Sequence, residues 1–404
     1  SPNCADLLRK LLVTDFLASF EDGAFPTIRQ FQLPGHRVNN VQVALDAWRN
    51  SYPRMPLYRF WAGEVAEELK LQDLLSDATF DWMNGNSTFE ELDKALLLQL
   101  RRELLKEPRG LTSEELFQVT DGRTAKFWCR PAHGDAFNSN EAAFRALQAG
   151  CEFFDELSGV SMEDRETSAE KVLQRYQDEF YRIDQKYRQF WYWEQIRSRV
   201  GQSNPLRELG ERINQRYQED YLQPLARGWS EHLESGFLDQ WSTEELGLQR
   251  DFFSQHVEGS GVSKTYVIIS DALRYEAGVE LKERLEAQSR RDVELEALLS
   301  SVPSYTQLGM ASLLPHQQLE IQEDANATIK ADGHSTAGLA NRSKILESKN
   351  GHAIHATDFL KMSQAQAREF HNDHEVLYIY QDIIDARGES KEEETFLAVD
   401  EALG

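Results

Sequence analysis

The spacing of apolar residues changes once along this chain, and that change limits the folds open to it. Up to about residue 256 the apolar positions recur at three- and four-residue steps, as in GEVAEELKLQDLL (Gly63–Leu75) and FEELDKALLLQLRRELLKE (Phe89–Glu107). This is the pattern of amphipathic helices. Breakers at MNGNST, EPRGLTSEE, PAHGDAFNSN and GQSNP divide the helices from one another. After VEGSGVSK, residues 257–264, strand-like runs alternate with helix-like ones. TYVIIS precedes ALRYEAGVELKERLEAQ, VELEALLSSV precedes YTQLGMASLL, and HEVLYIYQDII comes last, with a short strand at GHAIHA. Such alternation implies crossover connections and a mostly parallel sheet. TYVIIS is apolar on both faces, which predicts a central parallel strand. The expected organisation is a helical interaction region over 1–256, a linker over 257–264 and an α/β domain over 265–404.

At 404 residues the chain exceeds the usual size of one core, so two or three domains are expected. Lysine and arginine total 44 against 68 aspartates and glutamates, a formal net charge of −24. Such acidity favours solubility and gives no general support to phosphate-backbone binding, so a contact with DNA must rest on a local site. Cys4, Cys129 and Cys151 are three widely spaced cysteines without a CxxC pattern, which suggests neither a disulfide framework nor a thiolate zinc site and fits a reducing cytoplasm. No run of 18 apolar residues and no signal-peptide pattern occurs. The chain begins SPNCADLLRK without methionine and stops where a helix-like pattern has just started after Glu392, so it reads as an internal piece of a longer protein.

Tyr176, Phe180, Ile183, Tyr187 and Phe190 lie on one helical face with basic residues interleaved. Acids interleave equally, so a core stripe with a solvated charged back is expected rather than a nucleic-acid surface.

Three segments carry chemistry. Asp271 stands at the carboxyl end of TYVIIS, where open α/β sheets place ligands. It is either a metal ligand or the N-cap of the helix through Leu273 and Glu280. The following Ala272 and Leu273 exclude the Asp-x-Asp of a dehalogenase-type phosphatase, and no GxGxxG indicates a dinucleotide site. In SSVPSYTQLGMASLLP, Ser304 and Thr306 fall at the start of an apolar helix, where a hydroxyl is a cap or a nucleophile. In YIYQDIIDARGE, Gln381, Asp382 and Asp385 follow a strand, and such carboxylates suit a divalent ion or simply a turn. His352, His355, His371 and His374 have HxxH spacings too loose for a motif and are expected at the surface.

Together, VIISDALRYE, SSVPSYTQLGMASLLP, DGHSTAGLANRSKIL and YIYQDIIDARGE resemble, in order, the PglZ family, the alkaline-phosphatase-superfamily component of BREX phage-defence systems. The resemblance covers residues 264–390, and the preceding helices look like the segment before the phosphatase domain of such proteins. It implies a fold of helical region followed by an α/β/α sandwich of alkaline-phosphatase type, here incomplete, with a two-metal centre that is usually zinc. By the resemblance, Asp271 is the first-strand metal ligand, Thr306 the nucleophile or metal-bound hydroxyl, and Asp385 the acid of the family's YxHNxID segment. Gln381 stands where that segment commonly has histidine, and Asp382 where it has asparagine, so Asp382 is the candidate replacement ligand. The superfamily's Asp-His pair and later histidine have no counterpart, which implies that this chain binds zinc weakly or through fewer ligands than the whole protein.

For the intact protein the resemblance implies metal-dependent phosphatase or phosphodiesterase chemistry, extending to a nuclease acting on phage DNA. This piece is expected to be inactive or weak. The alternative is a scaffold whose helical region docks other BREX components, including the methyltransferase of such systems.

Overall fold

The computed structural model describes residues 3–76, 85–131, 136–162, 167–200, 204–259, 261–288, 292–390 and 395–404. The expected breaks at residues 83–84, 132–135 and 201–203, Ser260 of the linker and Glu392 lie outside the described residues. The chain packs as two compact units, Ser1–Glu163 with Arg182–Pro224, and Asp164–Tyr181 with Leu225–Gly404. No helix among the described residues is long and apolar enough to cross a membrane, and all three cysteines are free.

In the first unit the helical spacing is realised directly. The Glu90–Leu104 helix turns Leu92, Leu96, Leu97, Leu100 and Leu104 inward, recurring at the three- and four-residue intervals of one helical face. The next helix, Ser113–Thr124, is started by a capping box in which Thr112 Oγ1 accepts from the Glu115 amide and the Glu115 carboxylate accepts from the Thr112 amide. Phe190 and Ile183 are fully buried, and Tyr187 stacks on Tyr217 with ring centroids 3.9 Å apart while its hydroxyl donates to Asn214. Phe180, in the second unit, is also buried. Phe180, Ile183 and Phe190 of the aromatic stripe are therefore core residues, and Tyr176 and Tyr187 are half-buried. Charge is buried as well: Arg123 donates from Nε to Asp93 at 2.5 Å, with both side chains almost inaccessible. Burial pushes the Asp93 carboxyl up to about 6 even though Arg123 opposes the shift.

The second unit contains the α/β region. A three-stranded parallel sheet places Val376–Gln381 between Thr265–Ser270 and Gly351–His355. Val267 and Ile269 pair with Tyr378 and Tyr380, and these four pack with Phe253, Leu314, Leu346 and Ala353 on one face. The central strand is Val376–Gln381, whose first five residues are all buried, rather than TYVIIS. TYVIIS is an edge strand among the described residues, with Tyr266 43% and Ile268 69% exposed on its second face. Its apolar composition was compatible with either place, because composition does not specify how many neighbours a strand has. VELEALLSSV contributes only Leu298–Leu299, paired in parallel with Gly247–Leu248. An antiparallel sheet of Leu319–Ile321, Ile329–Ala331 and His334–Ser335, not anticipated from the sequence, lies between the segments that supply the parallel strands.

Candidate active site

Three carboxylates gather where two parallel strands end. Ser270 and Gln381 are register partners and the last residues of their strands, and Ser270 Oγ donates to Gln381 Oε1 at 3.1 Å. One residue further, the Asp271 amide donates to the Gln381 carbonyl at 3.0 Å, so pairing persists up to the acid. Ala272 then adopts φ +63°, a left-handed backbone that costs a non-glycine residue about 1–2 kcal/mol. Strain of this kind is characteristic of functional turns. Here the turn lets the Ala272 amide donate back to Asp271 Oδ1 at 3.0 Å.

Asp271 does not cap the following helix. That helix runs from Tyr275 to Ala287, its N-cap is Arg274, and no side chain caps it. The capping explanation for an acid at this strand end therefore falls away. Asp382 sits between the central strand and the Ile383–Ser390 helix, accepting through its carbonyl from the Ala386 amide, and Asp385 lies in the first turn of that helix. The Asp271 carboxyl is raised above its ordinary 3.8 by burial first and by the charge of Asp385 next, with Asp382 adding to the effect. The Ala272 amide and Arg342 oppose the rise.

Arg342 was not singled out from the sequence, although it lies in DGHSTAGLANRSKIL. Its Nε donates to the Thr336 carbonyl at 3.1 Å, and its guanidinium lies over the Tyr380 ring, 4.8 Å from the centroid. An arginine held by the penultimate residue of the central strand is placed to face the strand-end acids; the available signal was its position in a segment already noted, not any spacing. Three acids against one arginine leave the group electron-rich, and oxygen donors of this kind fit a hard or borderline divalent ion in their chemistry. In arrangement they do not: among the described residues, no group of three or more histidine, cysteine, aspartate or glutamate side chains is placed to hold a metal.

Thr306 is the first residue of the Thr306–Ser312 helix and is exposed. Neither it nor Ser304 caps that helix; the N-cap is Tyr305, without a side-chain bond. Leu308 and Ala311 pack on Ile329 of the antiparallel sheet, while Met310, Leu313 and Leu314 lean on the parallel sheet, where the Tyr378 hydroxyl donates to the Leu313 carbonyl at 2.5 Å. No hydrogen bond or ion pair among the described residues joins Thr306 to Asp271, Asp382 or Asp385. The structure thus brings the three aspartates together and leaves Thr306 outside their contacts.

The histidines differ from expectation. His355 is exposed, but His352, His371 and His374 are half-buried in an aromatic cluster. His352 and His374 have ring centroids 5.1 Å apart, Phe370 packs against both, and His371 meets the Tyr266 hydroxyl at 2.5 Å. The cause is the Gln364–Asp373 helix, which brings its aromatic side chains against the second face of the sheet.

Residues 252–404 match the model of the BREX system PglZ alkaline phosphatase-like domain. The chain is 30% identical over 408 residues to the alkaline phosphatase-like protein BrxZ of Escherichia coli O9:H4 (strain HS), a match covering 98% of this chain and 46% of that protein. It is 27% identical over 371 residues to the alkaline phosphatase-like protein PglZ of Bacillus cereus (strain H3081.97), covering 90% of this chain and 42% of that protein. The chain thus spans less than half the length of these relatives. No solved structure matches it.

Proposed function

Since the chain belongs to the PglZ family of alkaline-phosphatase-like BREX proteins, we propose that the intact protein hydrolyses phosphoric esters at a divalent-metal centre begun by Asp271, Asp382 and Asp385. The observation that supports this reading is the meeting of three acids at paired strand ends, where burial and the charges of Asp385 and Asp382 raise the Asp271 carboxyl. Perturbed acids in such positions mark functional sites. Zinc is the ion we propose, with Thr306 as nucleophile. Among the described residues no complete donor set is present, so weak metal binding by this chain is expected. Calorimetric titration showing tight binding of two zinc ions to these residues would count against the assignment. In the intact protein, Thr306→Ala should abolish turnover of a bis-aryl phosphodiester without loss of folding; unchanged turnover would remove Thr306 from the mechanism. The remainder of an α/β/α sandwich belongs to the same proposal, as does a cytoplasmic setting.

A second reading is favoured by one surface. On the Met55–Glu68 helix, Leu57, Phe60 and Trp61 stand three and four residues apart and are 53%, 56% and 37% exposed. Apolar side chains grouped in this way suit protein contact, and the helical region would then dock other BREX components, a methyltransferase among them. Phe60→Glu with Trp61→Glu should abolish co-purification of those components with the full chain. Undiminished co-purification would move the contact elsewhere. Phage DNA is a substrate only if a local site overrides the net charge of −24.

A further inference from the structure

The first unit holds a concavity of about 690 Å³, all of whose lining residues lie between Asp15 and Arg130. Its floor is a satisfied polar network. Arg49, itself buried, donates to Asp15 at 2.7 Å and to Asp46 at 2.6 Å. Asn86, also buried, donates to the Asp15 and Phe16 carbonyls and to Ser19 Oγ. Those groups are committed to one another and fix the shape of the floor.

The rim differs. Lys126 makes no side-chain hydrogen bond or ion pair among the described residues, and its Nζ lies over Gly85, 3.7 Å from where a Cβ there would stand. Arg130 donates from Nη1 to Asn50 Oδ1 at 3.0 Å and has no carboxylate partner among the described residues. Its backbone is fixed by Arg59 Nη2, which donates to the Arg130 carbonyl at 2.8 Å, and by Asn138 Nδ2 at 3.1 Å. Asn39 and Gln42, three residues apart on the Val38–Arg49 helix, line the same space, and their carboxamides make no hydrogen bond among the described residues. With Asp15 and Asp46 both held by Arg49, the charged residues lining the concavity carry one net positive charge, in a chain whose formal net charge is −24.

In a chain with 68 acids, two cations at the mouth of one cavity without a carboxylate partner among the described residues constitute a local reversal of charge. A planar guanidinium and a compact ammonium together match the several oxygens of a terminal phosphate. The neighbouring carboxamides of Asn39 and Gln42 add donors and acceptors for a polar remainder, and the volume is that of a small-ligand site. An apolar ligand would leave these groups without partners, at a cost in free energy. We propose that this concavity binds a phosphate monoester of mononucleotide size, with Lys126 and Arg130 on the phosphate and Asn39 and Gln42 on the polar remainder. The assignment is independent of the hydrolytic reading of the strand-end acids.

The test is titration calorimetry of the purified 404-residue chain with three probes, AMP, ribose 5-phosphate and inorganic phosphate. One equivalent of AMP should bind. Lys126→Gln and Arg130→Gln should each weaken it about tenfold, the effect of losing one charge-assisted hydrogen bond. Asn39→Ala should weaken AMP while sparing inorganic phosphate, and Asp271→Asn should leave AMP binding unchanged. Thermal unfolding of each variant checks its fold, and should the chain carrying both Lys126→Gln and Arg130→Gln unfold, the single substitutions decide. Absence of saturable binding for all three probes would overturn the proposal, as would AMP binding that survives both cation substitutions or is lost in Asp271→Asn.

Discussion

Replacing Gln381 by histidine tests whether the strand-end acids are a cation site short of one donor. Gln381 ends the central strand beside Ser270, and its Oε1 accepts from Ser270 Oγ at 3.1 Å. The side chain therefore projects from the same face and the same strand end as its partner, one residue before Asp271. A carboxamide is a poor ligand for a borderline divalent ion, whereas imidazole is a good one. The substitution removes the Ser270 bond, a half-buried side-chain contact worth about 0.5–1.5 kcal/mol. Without metal, the unfolding free energy should fall by that amount, and the denaturation midpoint with it. With zinc, affinity should rise at least about tenfold, equivalent to about 1.4 kcal/mol. At a free zinc concentration of about 100 Kd the bound form gains about 2.7 kcal/mol, more than the lost hydrogen bond. Calorimetric zinc titration together with guanidinium denaturation, with and without zinc, reads both effects. Adding Asp385→Asn should cancel the gain in affinity. Equal zinc affinity in the parent and Gln381→His chains would refute the reasoning, since the missing donor would then not be at this strand end.

Asp271→Asn should stabilise the chain at neutral pH. Because its folded-state carboxyl is raised above 3.8, Asp271 contributes stability that is full below that value and lost as pH rises through the folded pKa; denaturation midpoints of parent and variant should therefore separate at pH 7 and converge in acid. For the buried Asp93 and Arg123 pair, Asp93→Leu alone should cost about 3–5 kcal/mol by leaving the guanidinium uncompensated, whereas Asp93→Leu with Arg123→Met should be neutral or stabilising by about 1–4 kcal/mol, in a denaturant double-mutant cycle. Phe190→Ala should cost about 3–5 kcal/mol by the same assay, because the ring is fully buried and lies close to Gly150 and Gly210.

The helical region was legible because its signal is periodic and local. Leu92, Leu96, Leu97, Leu100 and Leu104 specify a buried face whatever they face, and Thr112 with Glu115 specify a helix start without any tertiary information. Strand rank was not legible. TYVIIS and VLYIYQ are both apolar runs, yet among the described residues one is an edge with Ile268 exposed and the other is enclosed, because rank depends on which segments pair and not on the segment itself. The antiparallel sheet escaped for a related reason: its strands are two or three residues long, too short for an alternation to register.

At the candidate site, sequence specified the kind of donor better than its arrangement. Strand-end position made Asp271, Asp382 and Asp385 candidates, and the structure brings them together because parallel strands carry their carboxyl ends to one edge. Whether Asp271 was a cap could be decided only by where the next helix begins, and the left-handed turn at Ala272 moves that start to Tyr275. Arg342 and Thr306 show the two ways in which proximity is hidden in sequence. Arg342 joins the acids through its electrostatic influence on Asp271 and its contacts with Thr336 and Tyr380, from a helix whose sequence alone gives no hint of charge recognition. Thr306 occupies the helix start its sequence foretold, yet its helix is anchored at Ile329 and Leu313, and no bond carries its hydroxyl to the carboxylates. The proposed roles require Thr306 and the acids to share a reacting atom, and Thr306→Ala and Gln381→His probe that geometry from opposite sides.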